Sequence, residues 1–193
     1  MSINFEILKK QILSCKICKE RFGFMPRPVF HGNKQTKIMQ ISQAPSHNVS
    51  ISGKPFDDLS GKRLITEWYQ ITDKEFYNKN NFYITSMAHC YPGKLKSGGD
   101  RLPPKICSDK WLMKEMEVVE SEIIILIGRT AASYFFPNGN YTDLIFNDNF
   151  INDKLTIILP HPSPLNIKWF KDNPRFNDIR ILEIRKIIHS LIK

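Results

Sequence analysis

Residues 37–61 read KIMQISQAPSHNVSISGKPFDDLSG. The run from Ile38 to Ile41 is short, apolar and bounded by polar residues, the pattern of a buried strand. It leaves through Ser42-Gln43-Ala44-Pro45, a tight exit of small residues, into a polar loop that reaches Ser52-Gly53-Lys54-Pro55-Phe56. Pro55 fixes its own backbone and biases Lys54 towards an extended conformation, so Phe56 is expected to be held rigidly. In an open α/β sheet, ligands sit beyond the carboxyl ends of strands, where this loop would lie. The competing expectation for Phe56 is ordinary core packing.

Three further runs have strand character. They are residues 81–87 (NFYITSM), 122–127 (EIIILI) and 155–159 (LTIIL). The second is almost wholly β-branched, as expected of a strand buried on both faces. Helical spacing of apolar residues predicts helices over 3–14, 60–70, 105–120, 131–136 and 175–192. In the last, Ile179, Leu182, Ile187 and Leu191 form the expected apolar face. Thr72 to Glu75 has the spacing of a capping box. Asp57 and Asp58 read foremost as a helix N-terminal cap. Ser163-Pro164 predicts an N-cap and first helical residue for a helix over 164–172, whose positive end would approach His161. Residues 19–35 and 137–153 read as irregular connections. The alternation predicts one domain: a three-layer α/β/α sandwich around a small four-stranded, mainly parallel sheet.

The chain has 193 residues, 41% of them apolar and 24% charged, and a formal charge of +9. This composition suits a globular domain with a sizeable core and an anionic partner, nucleic acid first. No apolar run reaches the roughly 18 residues that would span a bilayer. With no cleavable signal pattern at the N-terminus, the expectation is a cytoplasmic monomer without a membrane partner. Cys15 and Cys18 form a Cys-x-x-Cys pair, and Cys90 and Cys107 complete a set of four. In a reducing compartment such a set suggests metal chemistry, an iron–sulfur cluster or a structural zinc, before disulfides. Residues 91–104 (YPGKLKSGGDRLPP) predict a flexible basic loop in which Lys94, Lys96 and Arg101 could hold phosphates. His161, between two prolines at a strand end, is a functional candidate.

With these residues together, the chain resembles the uracil-DNA glycosylase superfamily, most nearly its family 4 iron–sulfur enzymes. The resemblance rests on four cysteines in order, on SQAP (42–45) with SGKPF (52–56) and LSG (59–61), on YITSMAHC (83–90), and on HPSP (161–164). It implies a DNA-repair enzyme that flips a deaminated base, uracil above all, out of DNA and hydrolyses its N-glycosidic bond. It implies stacking of Phe56 on the base and a hydrogen bond from His161 to a base carbonyl as negative charge builds. Gln43 would lie by the attacking water, Ala44 and Pro45 would line the base, and Ser86 would face its edge. Ser163 would touch a phosphate, and Leu165 would wedge into the vacated stack. Cys15, Cys18, Cys90 and Cys107 would hold a 4Fe-4S cluster of structural role, with zinc the lesser alternative. The enzymes of family 4 usually carry Glu at the place of Gln43, Asn at that of Ser86 and Lys at that of His89. These differences leave two alternatives: a non-catalytic iron–sulfur DNA-binding relative, and a glycosylase shifted towards hypoxanthine or xanthine.

Overall fold

The β-branched runs pair side by side in the computed structural model, which describes residues 3–192. The strands are β1 (Ile38–Ser42), β2 (Phe82–Ser86), β3 (Ile123–Ile127), β4 (Asn149–Ile151) and β5 (Lys154–Leu159). Their order is β2-β1-β3-β5-β4. β1, β2, β3 and β5 are mutually parallel, and only β4 runs antiparallel, against β5. Every residue of β1, β2 and β3 is buried. Both faces of the central strands are therefore covered, as long apolar parallel strands require. The chain moves outward from β1 to β2, then returns to the other side of β1 to make β3. That reversal opens a crevice at the carboxyl ends of β1 and β3.

The sheet has five strands where the sequence predicts four. The extra strand lies in the stretch expected to be irregular. Asn152 and Asp153 both have positive φ, 49° and 62°, and turn β4 into β5 as a two-residue hairpin. Asn and Asp tolerate this left-handed backbone, which suits the twist of the flanking strands. A helix, Tyr141–Phe146, precedes β4, and the Asn140 side chain caps it by accepting from the N–H groups of Thr142 and Asp143.

Helices elsewhere follow the apolar spacing, with four corrections. Ile17–Phe22 is helical inside the expected loop and stops at Gly23, whose φ of 71° is open to glycine. His47–Ser52 is helical, capped by Ser46 and stopped by Gly53. The C-terminal helix, Ile181–Leu191, buries Ile181, Ile184 and Ile188, while Ile179 and Leu182 face solvent. A π-helical turn at Phe176–Arg180 precedes it, and the expected Ile187 and Leu191 are half-buried against the core. The helix expected from Pro164 begins only at Ile167 and ends at Asp172, so its N-terminus is not the one beside His161; the ring lies instead against Gly128, the N-cap of the helix Arg129–Phe135. No helix among the described residues is long and apolar enough to cross a membrane.

Candidate active site

The crevice holds a pocket of about 230 Å³ lined by Gln43, Ala44, Pro45, Phe56, Ser86 and His161, from four separated chain segments. Ser42, Asp58, Asp100, Arg101 and Ser163 also line it. All residues predicted to catalyse or to bind the base thus come together. Of those predicted to hold DNA, Arg101 and Ser163 reach the pocket. Lys94 and Leu165 line an adjoining cleft with Asp58 and Asp100, and Lys96 stands exposed outside both. Leu165 is 91% exposed, an unusual state for leucine beside a cleft.

His161 sits directly after β5, with its ring against Gly128. A Cβ added there would lie 3.4 Å from the imidazole Cδ2, and the φ of 87° also favours glycine. The backbone N–H of Ser163 donates to His161 Nδ1 at 3.1 Å. Nδ1 is therefore the acceptor nitrogen, and in the neutral ring the proton lies on Nε2. Burial lowers the His161 pKa from its ordinary value, although the nearby Asp58 carboxylate opposes the shift. The neutral imidazole is thereby favoured, with Nε2–H free to donate. The expected role of Ser163 as a helix cap gives way to a turn, in which its Oγ accepts from Leu165 N at 3.2 Å.

Phe56 has positive φ, 59°, and its ring meets Phe76 edge-on at 6.1 Å. It is half-buried, so core packing and pocket exposure are both true of it. Tyr77 holds the preceding turn by donating its hydroxyl to the Pro55 carbonyl at 2.8 Å. Gly61 makes room underneath: a Cβ there would fall 1.7 Å from the Phe56 carbonyl oxygen. Asp58 caps the helix Leu59–Lys62, as expected, accepting from Gly61 N at 3.0 Å. Its other oxygen accepts from Ser46 Oγ at 2.9 Å, so it ties the loop after β1 to the loop carrying Phe56.

Gln43 Oε1 accepts from Thr130 Oγ1 at 2.8 Å. This leaves the amide N–H groups of Gln43 for the pocket. Thr130 was missed from the sequence, because a threonine in a strand-to-helix turn carries no functional signal. At the floor, Ser86 Oγ and Ser42 Oγ are 3.1 Å apart, aligned by the parallel register of β1 and β2. The segment expected to be a flexible loop folds back on itself. The Lys94 backbone pairs antiparallel with that of Asp100, Arg101 N donates to the Gly93 carbonyl at 2.8 Å, and Tyr91 donates to Asp100 Oδ1 at 2.8 Å.

Cys18, Cys90 and Cys107 are buried, Cys15 is half-buried, and none forms a disulfide. Burial pushes the Cys18 thiol up to about 11, and the neighbouring Cys107 and Cys15 add to the shift. Burial likewise pushes Cys90 up to about 12, opposed by the Arg27 backbone N–H and reinforced by the other three cysteines. The four therefore share one neighbourhood. Among the described residues, however, no three His, Cys, Asp or Glu side chains are grouped to hold a single metal ion. Beside them lies a fully buried polar group. His89 Nε2 is 3.0 Å from Glu115, Tyr83 donates to Glu115 at 2.6 Å, and His89 Nδ1 faces Cys107 Sγ at 3.4 Å. Burial lowers the His89 pKa, but Glu115 and Cys107 outweigh it and hold it at about 10.

Comparison with known proteins adds to this geometry. The family model for the uracil DNA glycosylase superfamily matches residues 29–184. The type-4 uracil-DNA glycosylase of Saccharolobus solfataricus is 29% identical over 141 residues, 71% of this chain and 61% of that protein. That of Archaeoglobus fulgidus is 28% identical over 148 residues, 74% of this chain and 67% of that protein. That of Thermotoga maritima is 23% identical over 163 residues, 83% of this chain and 82% of that protein. The chain spans about three fifths to two thirds of the length of the two archaeal relatives.

Proposed function

Because the chain belongs to the uracil DNA glycosylase superfamily, we propose that it is a DNA-repair glycosylase that excises uracil and leaves an abasic site. The observation that carries the proposal is the convergence of Gln43, Phe56, Ser86 and His161 on one pocket. The target nucleotide leaves the stack and enters this pocket, where Phe56 stacks on the base. His161 donates its Nε2–H to a carbonyl oxygen of the base. As the N-glycosidic bond breaks, its electron pair passes to the base, and that hydrogen bond strengthens with the developing anion. Gln43, held by Thr130, orients a water towards the sugar with its amide N–H groups. An amide takes no proton at neutral pH, so the water attacks a sugar that already has cationic character and releases its proton to the departing anionic base or to solvent. Ala44 and Pro45 wall the base. Ser163, Lys94, Lys96 and Arg101 meet phosphates, and exposed Leu165 fills the vacated stack.

The DNA-binding unit is a monomeric single domain. Cys15, Cys18, Cys90 and Cys107 hold a 4Fe-4S cluster in this reading. Their shared neighbourhood supports it. Such a cluster would supply no step of the hydrolysis; held by these four residues, it would tie the N-terminal segment to the residues that follow β2.

One observation favours a second reading. In the Ser42–Ser86 pair, one hydroxyl donates to the other, and either can take either role. The floor can thus offer a donor to a carbonyl or an acceptor to an amine, and by itself does not select uracil. A purine lesion such as hypoxanthine or xanthine is the alternative substrate. Base release from oligonucleotides carrying uracil opposite G or A, single-stranded uracil, hypoxanthine or xanthine tests both readings. Uracil release that disappears in His161→Ala is the expected result. Release of a purine lesion alone moves the assignment to the second reading. No release by cluster-loaded protein that binds the DNA leaves a non-catalytic relative.

A further inference from the structure

A second groove, of about 370 Å³, lies beside the base pocket. It is lined by Arg21, Phe22, Phe24, Arg101, Leu102 and Lys105. Phe22 and Phe24 present nearly parallel rings, 13° apart in plane with centroids 6.1 Å apart, and Phe22 is 46% exposed. Leu102 is 73% exposed. Phe24 is half-buried, so the pair presents one exposed and one partly covered ring beside exposed Leu102, an apolar surface flanked by cations. Among the described residues, three cations and no carboxylate line the groove. Its charge suits an anion, and its aromatic faces suit a flat apolar ring. A nucleotide carries both. The groove also adjoins the base pocket, because Pro92 and Arg101 line both.

We infer that this groove is a subsite for unpaired DNA, which stacks bases flanking the flipped nucleotide on Phe22 and Phe24. Arg21, Arg101 and Lys105 neutralise the phosphates between them. A duplex keeps its bases paired and stacked on one another, so only a single-stranded flank can use the aromatic faces. The subsite therefore biases the enzyme towards lesions in single-stranded DNA or at frayed ends. This inference deepens the glycosylase reading and rests on it for the direction of the strand.

The test uses the full chain and a single-stranded oligonucleotide with one uracil and 2-aminopurine placed one, two or three positions to either side. The expected result is that wild-type protein changes 2-aminopurine fluorescence on one side only. Phe22→Ala/Phe24→Ala should abolish the change and weaken single-strand binding by roughly tenfold or more, with a smaller effect on blunt duplex. Arg21→Ala/Lys105→Ala, which spares the rings, should weaken binding and flatten its salt dependence. Equal fluorescence and affinity in wild type and the aromatic double variant, with matching circular dichroism melts, would overturn the subsite. An equal loss on single strand and duplex would also overturn it. Uracil release from the same oligonucleotide is scored separately. Release by both proteins with equal affinity defeats the subsite alone, whereas aromatic-dependent binding without release defeats the glycosylase reading alone.

Discussion

At His161, the N–H of Ser163 occupies Nδ1, and that single bond decides that Nε2 carries the proton of the neutral ring. Removing this donor in His161→Ala should lower the rate of base release by about 10²–10³-fold, the usual cost of one donor to a developing anion, with little effect on DNA affinity. Burial lowers the His161 pKa, so the folded protein keeps the neutral ring below the ordinary value of about 6.5. Protonation would set an Nδ1–H against the Ser163 N–H, and two donors cannot bond each other. The rate under single-turnover conditions should therefore stay level from about pH 8 to about 6.5 and fall only on the acid side of that value. A profile that declines from pH 8 downward would contradict a lowered pKa.

The turn under Phe56 depends on the absence of a side chain at Gly61, where a Cβ would fall 1.7 Å from a backbone oxygen. Backbone cannot step aside as a flexible side chain can. Gly61→Ala should cost about 1–3 kcal/mol in a denaturant melt and should displace Phe56 enough to depress excision. The hairpin from β4 to β5 offers the opposite case. Asp153 holds a φ of 62° that glycine adopts without strain. Asp153→Gly should raise stability by about 0.5–1 kcal/mol, seen as a melting temperature higher by about 1–3 °C. The hairpin lies on an edge strand, so the gain should come without change in base release. Its Asn-Asp turn was present in the sequence but lacked the glycine that marks such turns most strongly.

Across the whole molecule, a charge of +9 should appear as a steep salt dependence of DNA binding. Lys94→Ala and Lys96→Ala should each reduce the slope of log affinity against log salt by about one, measured by fluorescence anisotropy. An unchanged slope would remove these lysines from the DNA path. A cluster held by Cys15, Cys18, Cys90 and Cys107, as proposed, would join the N-terminal segment to the residues after β2. Cys90→Ser or Cys107→Ser should abolish iron binding, read by metal analysis and by loss of the brown colour, and should lower the melting temperature.

The sequence by itself determined the four main strands, their alternation with helices and the motifs that end in Pro45, Phe56 and His161. Those signals are local: an apolar run, a proline, a capping residue. Only the tertiary structure decided which ends of which strands meet, because strand order is set by packing between segments far apart in sequence. It decided that Thr130 holds Gln43 and that Ser42 faces Ser86, contacts across 87 and 44 residues. It also decided which apolar residues of the last helix are fully buried: Ile181, Ile184 and Ile188 enter the core, Ile187 and Leu191 pack at its edge, and Leu182 stays exposed.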